Sequence, residues 1–187
     1  MEYEYDKPSD NRLVAANRQA AMMNPASTGT INVPALTKYL KQHFRLDWKG
    51  IHGAPHWARV LVNGTKLARA EGARLDVVTL FAFLHDHERF DDWHDIEHGE
   101  RAVENARALR ADGSYFTIDD EGFDLLCAAM SGHSHGGTHE DITVQVCYDA
   151  DRLDLGRVHV MPDPKYLCTK TAKDPDTIRE AFERSVK

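Results

Sequence analysis

Cysteine is scarce in this chain of 187 residues: Cys127, Cys147 and Cys168 are scattered, and no two form a Cys-x-x-Cys pair. An odd, scattered set excludes a disulfide framework and a zinc ribbon. Such cysteines are expected to pack as small apolar side chains in a reducing compartment. Long apolar runs are missing too, since none approaches the roughly 20 residues that a membrane-spanning helix needs. The acidic start Met1-Glu2-Tyr3-Glu4-Tyr5-Asp6 lacks the basic and apolar regions of a signal peptide. Together these absences make the cytoplasm the expected location and leave no membrane partner. No Lys/Arg run interleaves with aromatics and the formal net charge is -7, so no dedicated nucleic-acid surface is expected. Internal repeats and the alternating pattern of half-buried strands are also missing, which predicts an all-α fold.

What is present suits one globular domain. Hydrophobic residues make up 42% and charged residues 28% of the chain, and a domain of this size hides roughly 70% of its unfolded surface. Residues 1–32 read as an N-terminal extension. There Pro8, Pro25 and Ser27-Thr28-Gly29-Thr30 punctuate a short helix over 11–23, a segment that could support a homodimer. Residues 33–187 are expected to form the domain proper, ending in a C-terminal helix.

Apolar spacing places the helices. Leu36, Tyr39, Leu40 and Phe44 mark a first one, with Pro34 in its opening turn; Trp57, Val60, Leu61, Gly64 and Leu67 mark a second, stopped at Glu71-Gly72. Residues 75–84 are almost wholly apolar and predict a buried central helix, although Val77, Val78 and Thr79 are β-branched. Another helix is expected to open at His94 or Asp95 and run to about Leu109, broken by Asp112-Gly113-Ser114. Further helices are predicted from Thr117-Ile118-Asp119-Asp120 to about Met130, over 141–155, and near 176–186; 132–138 reads as a glycine-rich loop.

Eleven histidines is a high count. A lone histidine is more often a surface or hydrogen-bonded residue than a ligand, so position matters more than number. His85-Asp86 emerges from the end of the most apolar segment. A buried, unpaired aspartate costs several kcal/mol, so Asp86 demands a cation or several donors, unless the helix end simply reaches solvent. His56 begins His56-Trp57-Ala58-Arg59-Val60, and His52, before Gly53 and Pro55, reads as a loop residue. Asp149-Ala150-Asp151-Arg152-Leu153-Asp154 places three acids beside an apolar stripe. Asp151 shares the face of Tyr148, whereas Asp154 reads as an ion-pair partner of Arg152 or Arg157. Taken alone, this segment would be an ordinary charged surface.

The order His56, His85-Asp86, Asp151, with His-x-x-Arg-Val around the first and Ala-Asp-Arg-Leu around the last, resembles the HD-domain superfamily. His98-Gly99-Glu100-Arg101-Ala102 is similar to the helix start that follows the HD pair there. The resemblance spans residues 50–156. It implies a bundle of five or more helices holding one divalent metal ion on His56, His85, Asp86 and Asp151, the last chosen over Asp149 by its match to the Ala-Asp-Arg segment. Mixed nitrogen and oxygen donors suit Mn²⁺, Co²⁺, Ni²⁺, Fe²⁺ or Zn²⁺. Such an ion polarises a phosphoryl oxygen and acidifies water, and would let an acidic chain hold an anionic, small phosphorylated substrate.

Further roles follow from the same resemblance. His98 and His133 stand where relatives place phosphate contacts or ligands of a second metal, with His135 and His139 as substitutes. Glu88 is the candidate general base and Arg89 the candidate phosphate clamp. Asp91, Asp92, Asp95 and Glu97 read as a solvated face. The chain lacks a Gly-Tyr-Pro signature and a second acid beside Glu88, so it departs from the better-defined subfamilies. The expected activity is phosphate-ester hydrolysis on a nucleotide or another small molecule. A catalytically silent ligand- or partner-binding module and a dinuclear iron oxygenase are the alternatives.

Overall fold

The structure, a computed structural model, describes residues 29–187. The helix expected over 11–23, and with it most of the N-terminal extension, lies outside the described residues. Helix α1 (Val33–His43) is capped by Asn32, whose side chain accepts from Ala35 N, and buries Val33, Leu36 and Leu40. Helix α2 (Ala54–Glu71) opens on Gly53 with Pro55 in its first turn, and stops at Gly72 in the left-handed region, φ 76°. Both ends fall where proline and glycine signalled them.

Helix α3 (Leu75–Leu84) is the centre of the molecule, and every one of its ten residues is buried. The β-branched residues in it lower helix propensity by less than about 1 kcal/mol each, whereas burying each large apolar side chain stabilises by roughly 1.5–3 kcal/mol. Burial therefore decides the helix. Asp76, in its first turn, is neutralised by Arg74, which donates to both of its oxygens at 2.9 and 3.2 Å.

Helix α4 (His98–Asp112) starts later than His94 or Asp95. The carboxylate of Asp95 is occupied instead: it accepts from Phe90 N at 2.6 Å and from Arg101 at 2.5 Å, tying residues 86–97 into a series of turns. Helix α5 (Asp120–Gly132) is capped by Asp119 and runs directly into a 3₁₀ turn, His133–His135, where a loop was expected. Helix α6 (Ile142–Arg152), capped by Asp141, ends short of Leu155, and a 3₁₀ turn Leu155–Val158 takes over. Helix α7 (Pro175–Ser185), capped by Asp174, closes the chain.

The bundle is all-α apart from one small feature that no pattern announced: β1 (Thr30–Ile31) pairs antiparallel with β2 (Phe116–Thr117). The most extensive packing is of α2 against α3 and α6, with α5 covering α3. Gly64 makes that centre possible, since a Cβ there would sit 2.5 Å from Val78 Cγ1 and 3.3 Å from Ala150 Cβ. All three cysteines are free; Cys147 is buried as expected, but Cys127 and Cys168 are only half-buried. Among the described residues no helix is long and apolar enough to cross a membrane.

Candidate metal centre

Helix ends converge on one buried cluster. His56 lies in the first turn of α2, His85 and Asp86 follow α3, His98 opens α4, His133 follows α5, and Asp151 sits in the last turn of α6. His56, His85, Asp86, His98 and His133 are all buried, and the side chain of Asp151 is 17% exposed. The two donor sets share one residue: His56, His85 and Asp86 form one group and Asp86, His98 and His133 another, each with its ligand atoms within 4.8 Å of one another. Asp86 Oδ2 lies 3.4 Å from His56 Nε2 and 3.5 Å from His85 Nε2, while Oδ1 lies 3.2 Å from His98 Nε2 and 3.7 Å from His133 Nε2. Asp151 Oδ1 is 3.4 Å from His56 Nε2 and 4.0 Å from His85 Nε2.

The outward nitrogens fix the tautomers. His85 Nδ1 contacts Phe81 O at 3.0 Å, His133 Nδ1 contacts Met130 O at 2.7 Å, and His98 Nδ1 contacts Asp95 O. His56 Nδ1 contacts Asp154 Oδ2 at 2.7 Å. Carbonyl and carboxylate oxygens only accept, so each Nδ1 carries a proton, and the inward Nε2 is the atom that a neutral ring offers as a lone pair. Yet His56 Nε2 stands 3.1 Å from His85 Nε2, and His98 Nε2 stands 2.9 Å from His133 Nε2. Two lone pairs cannot face each other so closely without a shared proton or a cation. The cluster therefore demands positive charge, and buried His/Asp groups of this kind could hold a metal ion.

Charge and burial act in opposite directions here. Burial pushes the pKa of His85 down to about 3, leaving it neutral. Burial alone would raise Asp86, but His85 and the contacts from His133, His56 and His98 hold it well below the usual carboxylate range. Asp151 likewise resists burial, and Arg157 with the histidines brings it to about 2. His133 is opposed by burial yet raised by its neighbour Asp86.

The remaining candidates fall into distinct places. Glu88 is partly buried, its Oε1 3.4 Å from His87 Nε2; burial alone would raise it, but His87, Arg45 and Arg101 together hold it below the usual carboxylate range. Arg89 donates Nε–H to Asp86 Oδ1 at 2.8 Å, which makes it a support of Asp86 rather than a free clamp. His52 contacts Asp92 at 2.8 Å, and Asp95 pairs with Arg101, so those two acids are not a plain solvated face. Asp149 is buried away from the donor sets and accepts from Cys168 N, Thr169 N and Thr169 Oγ1. His135 is exposed and His139 binds Asp141 N, outside both groups.

Asp154 is the clearest departure. Instead of pairing its carboxylate with Arg152 or Arg157, it is fully buried between His56 and Arg59, taking Arg59 Nε at 2.6 Å and Nη2 at 3.0 Å. Its spacing from Asp151, three residues along a helix end, was the signal available, but His56 and Arg59 are distant in sequence. His87 was also passed over. It is buried, donates to Leu84 O at 2.6 Å, and leaves Nε2 without a hydrogen-bond partner.

No protein-family model and no curated protein matches the chain. Among solved structures, the crystal structure of a predicted HD superfamily hydrolase from an uncultured Thermotogales bacterium is similar, with a TM-score of 0.62 at 23% identity. The match covers 82% of this chain and 86% of that one. Most of both chains therefore follows one path. This chain shares the all-α fold of that predicted HD superfamily hydrolase.

Proposed function

We propose that the chain is a metal-dependent phosphohydrolase acting on a small phosphorylated molecule, such as a nucleotide. The observation that carries this reading is the inward set of Nε2 lone pairs around Asp86, each fixed by an outward Nδ1 contact. His56, His85, Asp86 and Asp151 would hold one divalent ion. When bound, the ion supplies polarisation of a phosphoryl oxygen and acidification of water, which is what P–O cleavage at neutral pH requires.

The chain's own residues do the rest. Asp154 orients His56, and Arg89 orients Asp86. Glu88, partly exposed and held below the usual carboxylate range, would be the group that accepts a proton from water as it adds to phosphorus, while the ester oxygen leaves. The buried histidines exclude bulk water, so a charge that develops there is weakly screened.

The sharing of Asp86 favours a second reading of the metal count. Its Oδ1 side faces His98 and His133, a donor set of the same nitrogen and oxygen chemistry, so a second ion fits beside the first. A dinuclear iron oxygenase would use the same two groups. Elemental analysis of the wild type beside Asp86→Ala tests the proposal. Bound Mn²⁺, Co²⁺, Ni²⁺, Fe²⁺ or Zn²⁺ in the wild type and none in the variant is expected, with phosphate release from phosphomonoesters or nucleotides under added metal. Absence of metal from both proteins after incubation with these ions overturns it. Two irons per chain with dioxygen consumption and no phosphate release favours the oxygenase.

A further inference from the structure

The arginines around the cluster are nearly all committed. Arg59 grips Asp154 at 2.6 and 3.0 Å, Arg89 holds Asp86 at 2.8 Å, and Arg101 holds Asp95 at 2.5 Å. Arg152 is turned to the carbonyls of Tyr166 and Gly137 at 2.8 and 2.7 Å. Arg157, in the 3₁₀ turn after α6, is different. Its Nη1 donates to the backbone carbonyl of Asp154 at 3.2 Å, but its Nε is sealed from solvent with no hydrogen-bond partner. Its Nη2 stands 3.9 Å from Asp151 Oδ1, beyond hydrogen-bond reach.

The geometry of a guanidinium gives this meaning. Nε–H and one Nη2–H project from the same edge, the side-on fork that takes two oxygens of a planar or tetrahedral anion. In Arg157 that whole edge lacks a hydrogen-bonded acceptor, although the side chain is only 10% exposed. A buried donor left unmade is unfavourable, so its persistence calls for an absent acceptor. Asp151 does not supply one, because its Oδ1 is drawn toward His56 and His85. Asp151 does place the fork, since this carboxylate borders both Arg157 and the histidines. It is also more exposed than His56, His85, Asp86, His98 or His133, whose side chains are at most 3% exposed, so the way in to the cluster passes beside it.

We propose that Arg157 is the oxyanion anchor of this site, its Nη2 meeting a nonbridging oxygen of a phosphoryl group set against the cluster and its buried Nε completing the fork as the guanidinium turns toward that group. The role rests on the hydrolase reading above and sharpens it: the substrate presents two nonbridging phosphoryl oxygens to this guanidinium. It also replaces Arg89, whose Nε is already occupied by Asp86.

Calorimetric titration of inorganic phosphate into metal-loaded wild type, Arg157→Lys and Arg157→Gln tests this, with metal content and thermal midpoint measured on each. Arg157→Gln is expected to keep its metal and bind phosphate about 10- to 100-fold more weakly, the loss of a charge-assisted pair. Arg157→Lys is expected in between, since it keeps the charge and loses the fork. Phosphate affinity unchanged in Arg157→Gln overturns the anchor and leaves the hydrolase reading standing. Metal loss in both variants also overturns it, by making Arg157 a support of Asp151. Failure of the metal-loaded wild type to bind phosphate removes the hydrolase reading itself, and the anchor with it. If Arg157→Gln does not fold, the Lys variant carries the comparison.

Discussion

Asp154 Oδ2 lies 2.7 Å from His56 Nδ1, at a position where neither residue is exposed to solvent. The carboxylate fixes which nitrogen of His56 is protonated, sets the orientation of the ring, and is itself neutralised by Arg59. On the proposed metal site, removing Asp154 disturbs the setting of His56 without removing a donor atom.

Asp154→Asn is therefore expected to weaken metal binding by about 10- to 100-fold, the usual cost of losing a partner behind a ligating histidine. Competition against a chelator of known affinity measures this. An unchanged affinity would detach Asp154 from the metal site.

The shared carboxylate of Asp86 leads to a statement about stoichiometry. The double variant His98→Ala/His133→Ala is expected to retain one ion on the His56 side while the wild type, saturated with transition metal, takes up more than one. Elemental analysis after gel filtration distinguishes them, and equal metal content in the two proteins rules out a second ion.

Much of the fold was legible because burial and local capping agree. Helix α3 is almost wholly apolar, Gly72 and Gly113 stop their helices in the left-handed region, and Asp119 caps α5 where a capped start was expected. The late start of α4 was not legible, because Asp95 looks like a cap until Arg101 and Phe90 N are known to claim its carboxylate. The same holds in the site. His56, His85, Asp86 and Asp151 stood out by type and order, and the structure brings them together. Asp154 and Arg157 did not stand out, since their roles depend on partners 98 and 95 residues away for Asp154 and on an unmade hydrogen bond for Arg157. A one-dimensional pattern records neither.

Acid should destabilise the metal-free protein earlier than carboxylate protonation would. His85 has a folded pKa of about 3 because of burial, against about 6.5 when unfolded, so the unfolded chain binds the extra proton between those values. Stability falls as pH drops through that window, by up to about 1.4 kcal/mol per pH unit from this residue. His52, also lowered by burial, acts in the same direction. His133, raised by Asp86 against its burial, gives stability that is fully present below its unfolded pKa and fades only at higher pH. Denaturant titrations of chelator-treated protein at pH 6.5 and 4.5 should show the loss, and His85→Gln should flatten it. A pH-independent midpoint over this interval contradicts the account.

Gly99 is the place where the second donor set depends most directly on packing. It follows His98 at the start of α4, and a Cβ there would stand 2.3 Å from Met130 O and 3.3 Å from Ser131 Cα. Both obstacles are backbone, so no side chain can rotate away, and α4 must shift from α5. His98 and His133, whose Nε2 atoms are 2.9 Å apart, lie on opposite sides of that contact. Gly99→Ala should therefore cost about 1–3 kcal/mol, the usual cost of overpacking. In a domain of this size that lowers the thermal midpoint by roughly 2–4 °C per kcal/mol. It should also weaken metal binding on the His98 side before the His56 side. Gly137→Ala is the matched control: nothing lies within 4 Å of a Cβ at that position, and its change should stay within about 0.5 kcal/mol. Equal thermal midpoints for the two variants would mean that α4 and α5 approach less closely than their backbone contact requires.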